Sequence, residues 1–179
     1  VTTEERASVV ALLREKHELV LAAVNGLNDE QWRFRASEDE WSPLDCVEHL
    51  AVIEEFLFGM MQGALARSPD PALKALAAGK DALVLQAIPA RRRRVKAPEH
   101  VCPSGRWPQP LDTLEQFKAV RGRTIAFAES TDQNLRDFVF PHPFLKELDC
   151  YQWLLFLAVH GERHTRQLEE VKQAAGFPT

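Results

Sequence analysis

The sequence predicts an all-α protein built on four long helices. Three observations carry that expectation. Apolar residues recur at three- and four-residue spacing in four separate segments. Each segment opens on a side chain able to cap a helix, followed three residues later by a side chain able to bond back. The last segment is apolar almost all round over residues 151–159, the pattern of a helix at the centre of a bundle.

The first helix is expected over residues 3–27, opened by Thr2 with Glu5. Its stripe is Val9, Leu13, Val20, Val24 and Leu27, and His17 shares it. The second is expected over 43–66. Ser42 with Asp45 opens it and Pro43 takes the first helical position, where a missing N–H costs nothing. Its stripe carries Cys46, His49, Leu50, Ile53, Leu57 and Met60. The third is expected over 113–130, opened by Asp112 with Glu115, with Leu114, Phe117, Arg121, Ile125 and Ala128 on one face. The fourth is expected over 150–175, opened by Asp149 with Gln152 and stapled by Leu148 and Trp153. Its stripe is Trp153, Leu157, His160, His164, Leu168 and Val171. Between the second and third helices lies a long connection. A short helix is expected at 72–78, closed by Gly79. Residues 89–110 carry five prolines and no helical period, so they are expected to be loop.

The chain has 179 residues, a length that suits a single domain over 1–179. Hydrophobic residues make up 45% and charged residues 27%, which excludes disorder as the main state. The net charge of -4 and pI near 5.9 count against a general nucleic-acid binder. The run Arg91-Arg92-Arg93-Arg94-Val95-Lys96 is expected to be a solvated loop rather than a nucleic-acid contact. Three scattered cysteines, Cys46, Cys102 and Cys150, form no C-x-x-C pair and suit a reducing compartment. No apolar stretch approaches the roughly 20 residues of a membrane span, and the first residues show no basic-then-apolar leader. A cytoplasmic protein is expected.

The chemistry concentrates in histidines. His160 and His164 stand four residues apart on one helical face, and both fall on the core-facing stripe. Neutral imidazoles so placed can clamp one Zn, Ni, Cu or Fe ion. The alternative is a pair of core histidines with hydrogen-bond partners. His49, on the inward stripe of the second helix, is the candidate third ligand. Three histidines would leave coordination positions open, as in a catalytic site. His17 is a weaker fourth contact. The zinc-protease signature is excluded, because Gly161 stands where its glutamate would follow the first histidine. A di-iron bundle is excluded too, since it needs Glu-x-x-His pairs and inward glutamates, which these stripes are not expected to carry.

Trp41-Ser42-Pro43 followed by Glu48-His49-Leu50 resembles the start of the second helix in DinB/YfiT-like proteins. His142-Pro143-Phe144-Leu145, then Gln152-Trp153-Leu154-Leu155-Phe156 and His160-Gly161-Glu162-Arg163-His164-Thr165-Arg166-Gln167-Leu168, resembles that family's last helix and its lead-in. The resemblance implies a four-helix bundle, often a homodimer. It implies one divalent transition metal, Zn or Ni foremost, on His49, His160 and His164. It also implies a small-molecule substrate, turned over by a metal-dependent hydrolase or by a transferase or isomerase using a low-molecular-weight thiol. Two positions depart from the pattern. Lys146 stands where a glycine is expected, and Gly161 where a bulkier residue is common.

Neighbouring residues suggest further roles. Arg121, charged on an apolar face, is a candidate anchor for a substrate anion; the alternative is a salt bridge to a bundle carboxylate. Gln167, one turn past His164, is a candidate substrate or ligand-orienting contact. Asp45 could orient His49, although capping already explains it. Cys46, Trp32, Trp41 and Trp153 are expected to be packing, and Trp107 a pocket-mouth residue. No carboxylate is clearly placed as a general base, which favours a metal–thiolate role over water activation. The non-enzymatic alternative is a metal-binding or stress-related bundle whose surface is its function.

Overall fold

The chain opens with α1 (Thr3–Val24) and a one-turn helix α2 (Asp29–Arg33), then α3 (Pro43–Leu65). Two short helices follow, α4 (Pro71–Ala77) and α5 (Asp81–Ala87). A 3-10 turn at Glu99–Val101 leads to α6 (Pro110–Ser130). A second 3-10 turn at Leu135–Asp137 leads to strands β1 (Val139–His142) and β2 (Lys146–Asp149), and α7 (Cys150–Lys172) closes the fold. The structure is a computed structural model describing residues 1–91 and 96–179. Arg92, Arg93 and Arg94 of the basic run lie outside the described residues.

The four long helices form the bundle. α1 and α3 each pack against both α6 and α7, so α1 and α3, consecutive long helices, sit across a diagonal. α7 is buried without interruption from Cys150 to Gly161, as its all-round apolar sequence requires. Its first half belongs to one core cluster, with Leu13, Leu57, Met61 and Phe140. Leu168 belongs to a second, with Val20, Trp32, Cys46, Leu50 and Phe117. His160 and His164 occupy the interval between the two.

Three of the four expected capping boxes are present: Thr2 with Glu5, Ser42 with Asp45 and Asp149 with Gln152. The fourth is corrected. Pro110 starts α6 earlier, Gln109 takes the cap position without a side-chain bond, and Asp112 falls inside the first turn. A box not expected, Asn28 with Gln31, starts α2 and buries Trp32. The 69–86 stretch holds two short helices rather than one, with Gly79 at φ 76° turning the chain between them.

The lead-in to α7 is an antiparallel hairpin, which the helical reading did not anticipate. Val139 pairs with Asp149 and His142 with Lys146. Lys146 has φ 61°, the left-handed conformation that glycine adopts without strain. The turn therefore keeps the backbone a glycine would give it. His142 Nδ1 accepts the Phe144 and Leu145 N–H groups, both at 3.1 Å, and closes the loop. The hairpin fixes the start of α7 through Cys150 N–H to Phe138 O and Trp153 Nε1–H to Phe140 O. No helix among the described residues is long and apolar enough to cross a membrane.

Candidate metal centre

Helical spacing puts His160 and His164 one above the other on α7. The Ser42–Pro43 start sets the phase of α3, which turns His49 toward them. All three are buried, at 2% (His49), 8% (His160) and 5% (His164) exposure. One ring nitrogen from each lies within 4.8 Å of the others. The Nε2 atoms of His160 and His164 are 3.3 Å apart.

The tautomer of His49 follows from its partner. His49 Nδ1 lies 2.8 Å from the Val101 carbonyl, which can only accept, so Nδ1 carries the hydrogen and Nε2 keeps its lone pair. His160 and His164 have Nδ1 atoms that are buried with no hydrogen-bond partner among the described residues. Burial, more than anything else, holds the rings neutral. It lowers His49 to about 4 against the smaller opposing effect of the Val101 bond. It drives His160 and His164 well below the ordinary histidine range, helped by the neighbouring histidines and by Arg163.

These residues fit a metal ion. Two nitrogens on one tetrahedral ion, each roughly 2.0–2.1 Å from it, lie about 3.3 Å apart. The His160–His164 separation has that value. Two neutral Nε2 atoms facing each other at this distance share at most one hydrogen, so at least one keeps a lone pair available to a cation. Aromatic rings wall the centre: Trp41 packs 4.8 Å from His49 and lies nearly parallel to His164 at 6.0 Å, and Phe156 stacks on His160 at 5.1 Å.

The DinB superfamily model matches residues 12–168. The chain belongs to the DinB superfamily. It is 27% identical over 150 residues to YuaE, an uncharacterized protein of Bacillus subtilis, covering 84% of this chain and 88% of that one. Its fold is similar to that of YfiT from Bacillus subtilis, described as a probable metal-dependent hydrolase with an unusual four-helix bundle topology. The TM-score is 0.65 at 18% identity, over 99% of this chain and 91% of that one.

The other expected residues divide. Arg121 as a substrate anchor is corrected: its guanidinium is fully buried and engaged by the fold. Nε and Nη2 donate to Glu54 at 2.8–3.0 Å, and the Leu13 and Leu157 carbonyls accept at 3.2 and 3.0 Å. Glu54 and Glu48 are both buried, so the expectation that α3 carries no inward glutamate is corrected as well. Gln167 is partly buried on α7, and its oxygen accepts from Arg91, which also pairs with Glu170. Arg163 donates to the Ile88 and Ala90 carbonyls, so the chain leading into the long loop is tied to α7 beside His164. Asp45 serves Ser42 and Arg35, not His49. Cys46 is buried and burial pushes its thiol far up, so it is packing. His17 stands outside the cluster, edge-on to Phe117. Gly161 faces α1, where a Cβ would meet Val20 at 3.6 Å and the Lys16 carbonyl at 3.7 Å; it does not make room beside the histidines.

Sequence reading missed three contributors: the Trp41 and Phe156 walls and the Val101 carbonyl. The two aromatics carry the same apolar pattern whether they line a core or a site. A backbone carbonyl 52 residues from its histidine leaves no trace in sequence spacing.

Proposed function

We propose that the chain is a metal-dependent enzyme acting on a small-molecule substrate, with one divalent transition metal, Zn or Ni, on His49, His160 and His164. The observation that carries this reading is the clustering of three buried ring nitrogens, one from each histidine, within 4.8 Å of one another. The description of the structural neighbour YfiT as a probable metal-dependent hydrolase supports it. When bound, such an ion supplies Lewis-acid polarisation and lowers the pKa of a coordinated water or thiol.

Of the two reaction types, low-molecular-weight-thiol S-transfer is favoured over hydrolysis. The carboxylates buried on α3 are committed: Asp45 to Ser42 and Arg35, Glu48 to a loop backbone, Glu54 to Arg121. None of the three is left to take a proton from water. Trp41 and Phe156 exclude solvent around the ligand rings. Gln167, one turn beyond His164 and beside Arg91, is the substrate contact in this reading.

The test uses protein purified without an affinity metal column. Metal analysis is expected to give one ion per chain, and His160→Ala is expected to lose it to a chelator that the unmodified protein resists. Cobalt-substituted protein titrated with cysteine is expected to show a sulfur-to-metal charge-transfer band. A spectrum that responds to a simple ester or amide but not to cysteine would reverse the preference. Full metal retention by His160→Ala would overturn the site.

A further inference from the structure

Glu48 directly precedes His49 on α3 and is fully buried, yet among the described residues no cation pairs with it. A buried carboxylate is costly unless hydrogen bonds replace its water. Here the replacement comes from one short stretch of backbone. Glu48 Oε1 accepts the N–H of Ser104 at 2.7 Å and of Arg106 at 3.3 Å, with the Ser104 hydroxyl at 3.5 Å; Oε2 accepts the Gly105 N–H at 3.1 Å. Gly105 has φ 74°, and its left-handed backbone helps three successive N–H groups converge on one anion. Three residues before Ser104 is Val101, whose carbonyl takes the His49 Nδ1 hydrogen. Cys102 and Pro103 bridge the gap, and the proline ring restricts φ there.

We propose that Glu48 is a positioning residue for the metal ligand His49, acting through the loop. Two successive side chains of α3 grip the two ends of the 101–106 segment. Glu48 sets where that segment lies, and the segment's Val101 carbonyl sets the ring angle and tautomer of His49. This rests on the reading of His49 as a metal ligand. Groups that orient a ligating histidine typically account for about tenfold to a hundredfold in metal affinity. Linkage makes the effect reciprocal: if loop order raises metal affinity, bound metal must order the loop to the same degree.

The experiment uses the full chain, unmodified and as Glu48→Gln and Glu48→Ala. Gln keeps the side chain's length and one acceptor oxygen, so it serves where Ala fails to fold. Zinc affinity is measured by chelator competition, amide exchange is followed at residues 104–106 with and without zinc, and ring 15N shifts report the His49 tautomer in metal-free protein. In the unmodified chain zinc is expected to slow exchange at residues 104–106, and His49 to carry its hydrogen on Nδ1. In the variants zinc affinity is expected to fall by about tenfold or more, the zinc-dependent protection to disappear, and the tautomer to become mixed. Unchanged zinc affinity and an unchanged His49 tautomer in a folded variant would overturn the proposal and leave Glu48 as a loop anchor only. If the unmodified chain takes up no zinc, nickel or cobalt, the metal reading fails; the metal-free tautomer then still decides the role of Glu48.

Discussion

Two of the polar centres buried in the bundle lie close together and are finished in opposite ways. Arg121 and Glu54 form a closed centre. The guanidinium fork meets the carboxylate with two nitrogens, and two helix carbonyls accept from it as well. The three histidines form an open centre. Among the described residues His160 and His164 hold Nδ1 atoms without partners, and their Nε2 atoms face each other at 3.3 Å. Both centres are buried and cross between helices, so burial alone does not tell them apart. What does is whether the protein satisfies its own polar atoms. The closed centre contributes to the fold, whereas the facing Nε2 atoms of His160 and His164 have the separation of two nitrogens on one ion.

The largest effect is expected where the closed centre is broken from one side. Glu54→Ala strands the Arg121 charge in the core and should cost about 3–5 kcal/mol, a large share of a domain's stability. Replacing both partners, Arg121→Met with Glu54→Leu, should recover most of that loss, because no charge is left buried. Denaturant unfolding of the two variants measures the difference. A Glu54→Ala protein as stable as its parent would mean the centre is not closed.

Removing the ion that the proposed function places in the open centre should cost less. The apolar core does not depend on it, so chelation should lower the melting temperature while helical circular dichroism at 25 °C stays intact. At free metal near 100 times the dissociation constant, the stabilisation lost is about 2.7 kcal/mol. Loss of helix on chelation would make the histidines a structural site. His160→Ala sharpens the point. Metal-free, it should cost about 2 kcal/mol from lost packing on Phe156, the low end for a large-to-small change in a core and less than Glu54→Ala, while metal binding collapses.

The two centres were unequally legible in the sequence. The histidines announce themselves because i, i+4 spacing on an inward stripe is a local pattern, and His49 joins them through the phase of a well-capped helix. Arg121 is visible as a misplaced charge, but its partner is not. Glu54 is 67 residues away on another helix, and only the packing of α3 on α6 brings the two together. The same limit explains the fold. Four long helices follow from periodicity and three capping boxes. The hairpin before α7 is too short to show a strand period, and Pro110 overrides the cap that Asp112 suggests. Lys146 is informative because it departs from the expected glycine yet keeps φ positive, so the backbone there is set by the hairpin and not by the residue.

His142 supplies the finest test, being a buried histidine whose Nδ1 is satisfied. It accepts the Phe144 and Leu145 N–H groups, and burial lowers it to about 4. His142 and the three site histidines are all neutral in the fold, whereas in the unfolded chain they protonate near 6.5. Below pH 6.5 the unfolded state therefore binds more protons, and metal-free stability must fall as pH falls. For His142 the contribution is complete above about 6.5 and is lost progressively down to about 4, at close to 1.4 kcal/mol per pH unit. Protonation would also put a hydrogen on the atom that receives the two turn amides. His142→Asn offers an oxygen to those amides and does not titrate. Its stability curve between pH 6.5 and 4.5 should be shallower than the parent's by about that slope, while zinc affinity at pH 7.5 stays the same, because His142 is outside the ligand cluster. A parallel pair of curves would mean His142 is protonated in the folded protein, and the distinction between satisfied and unsatisfied buried histidines would lose its simplest case.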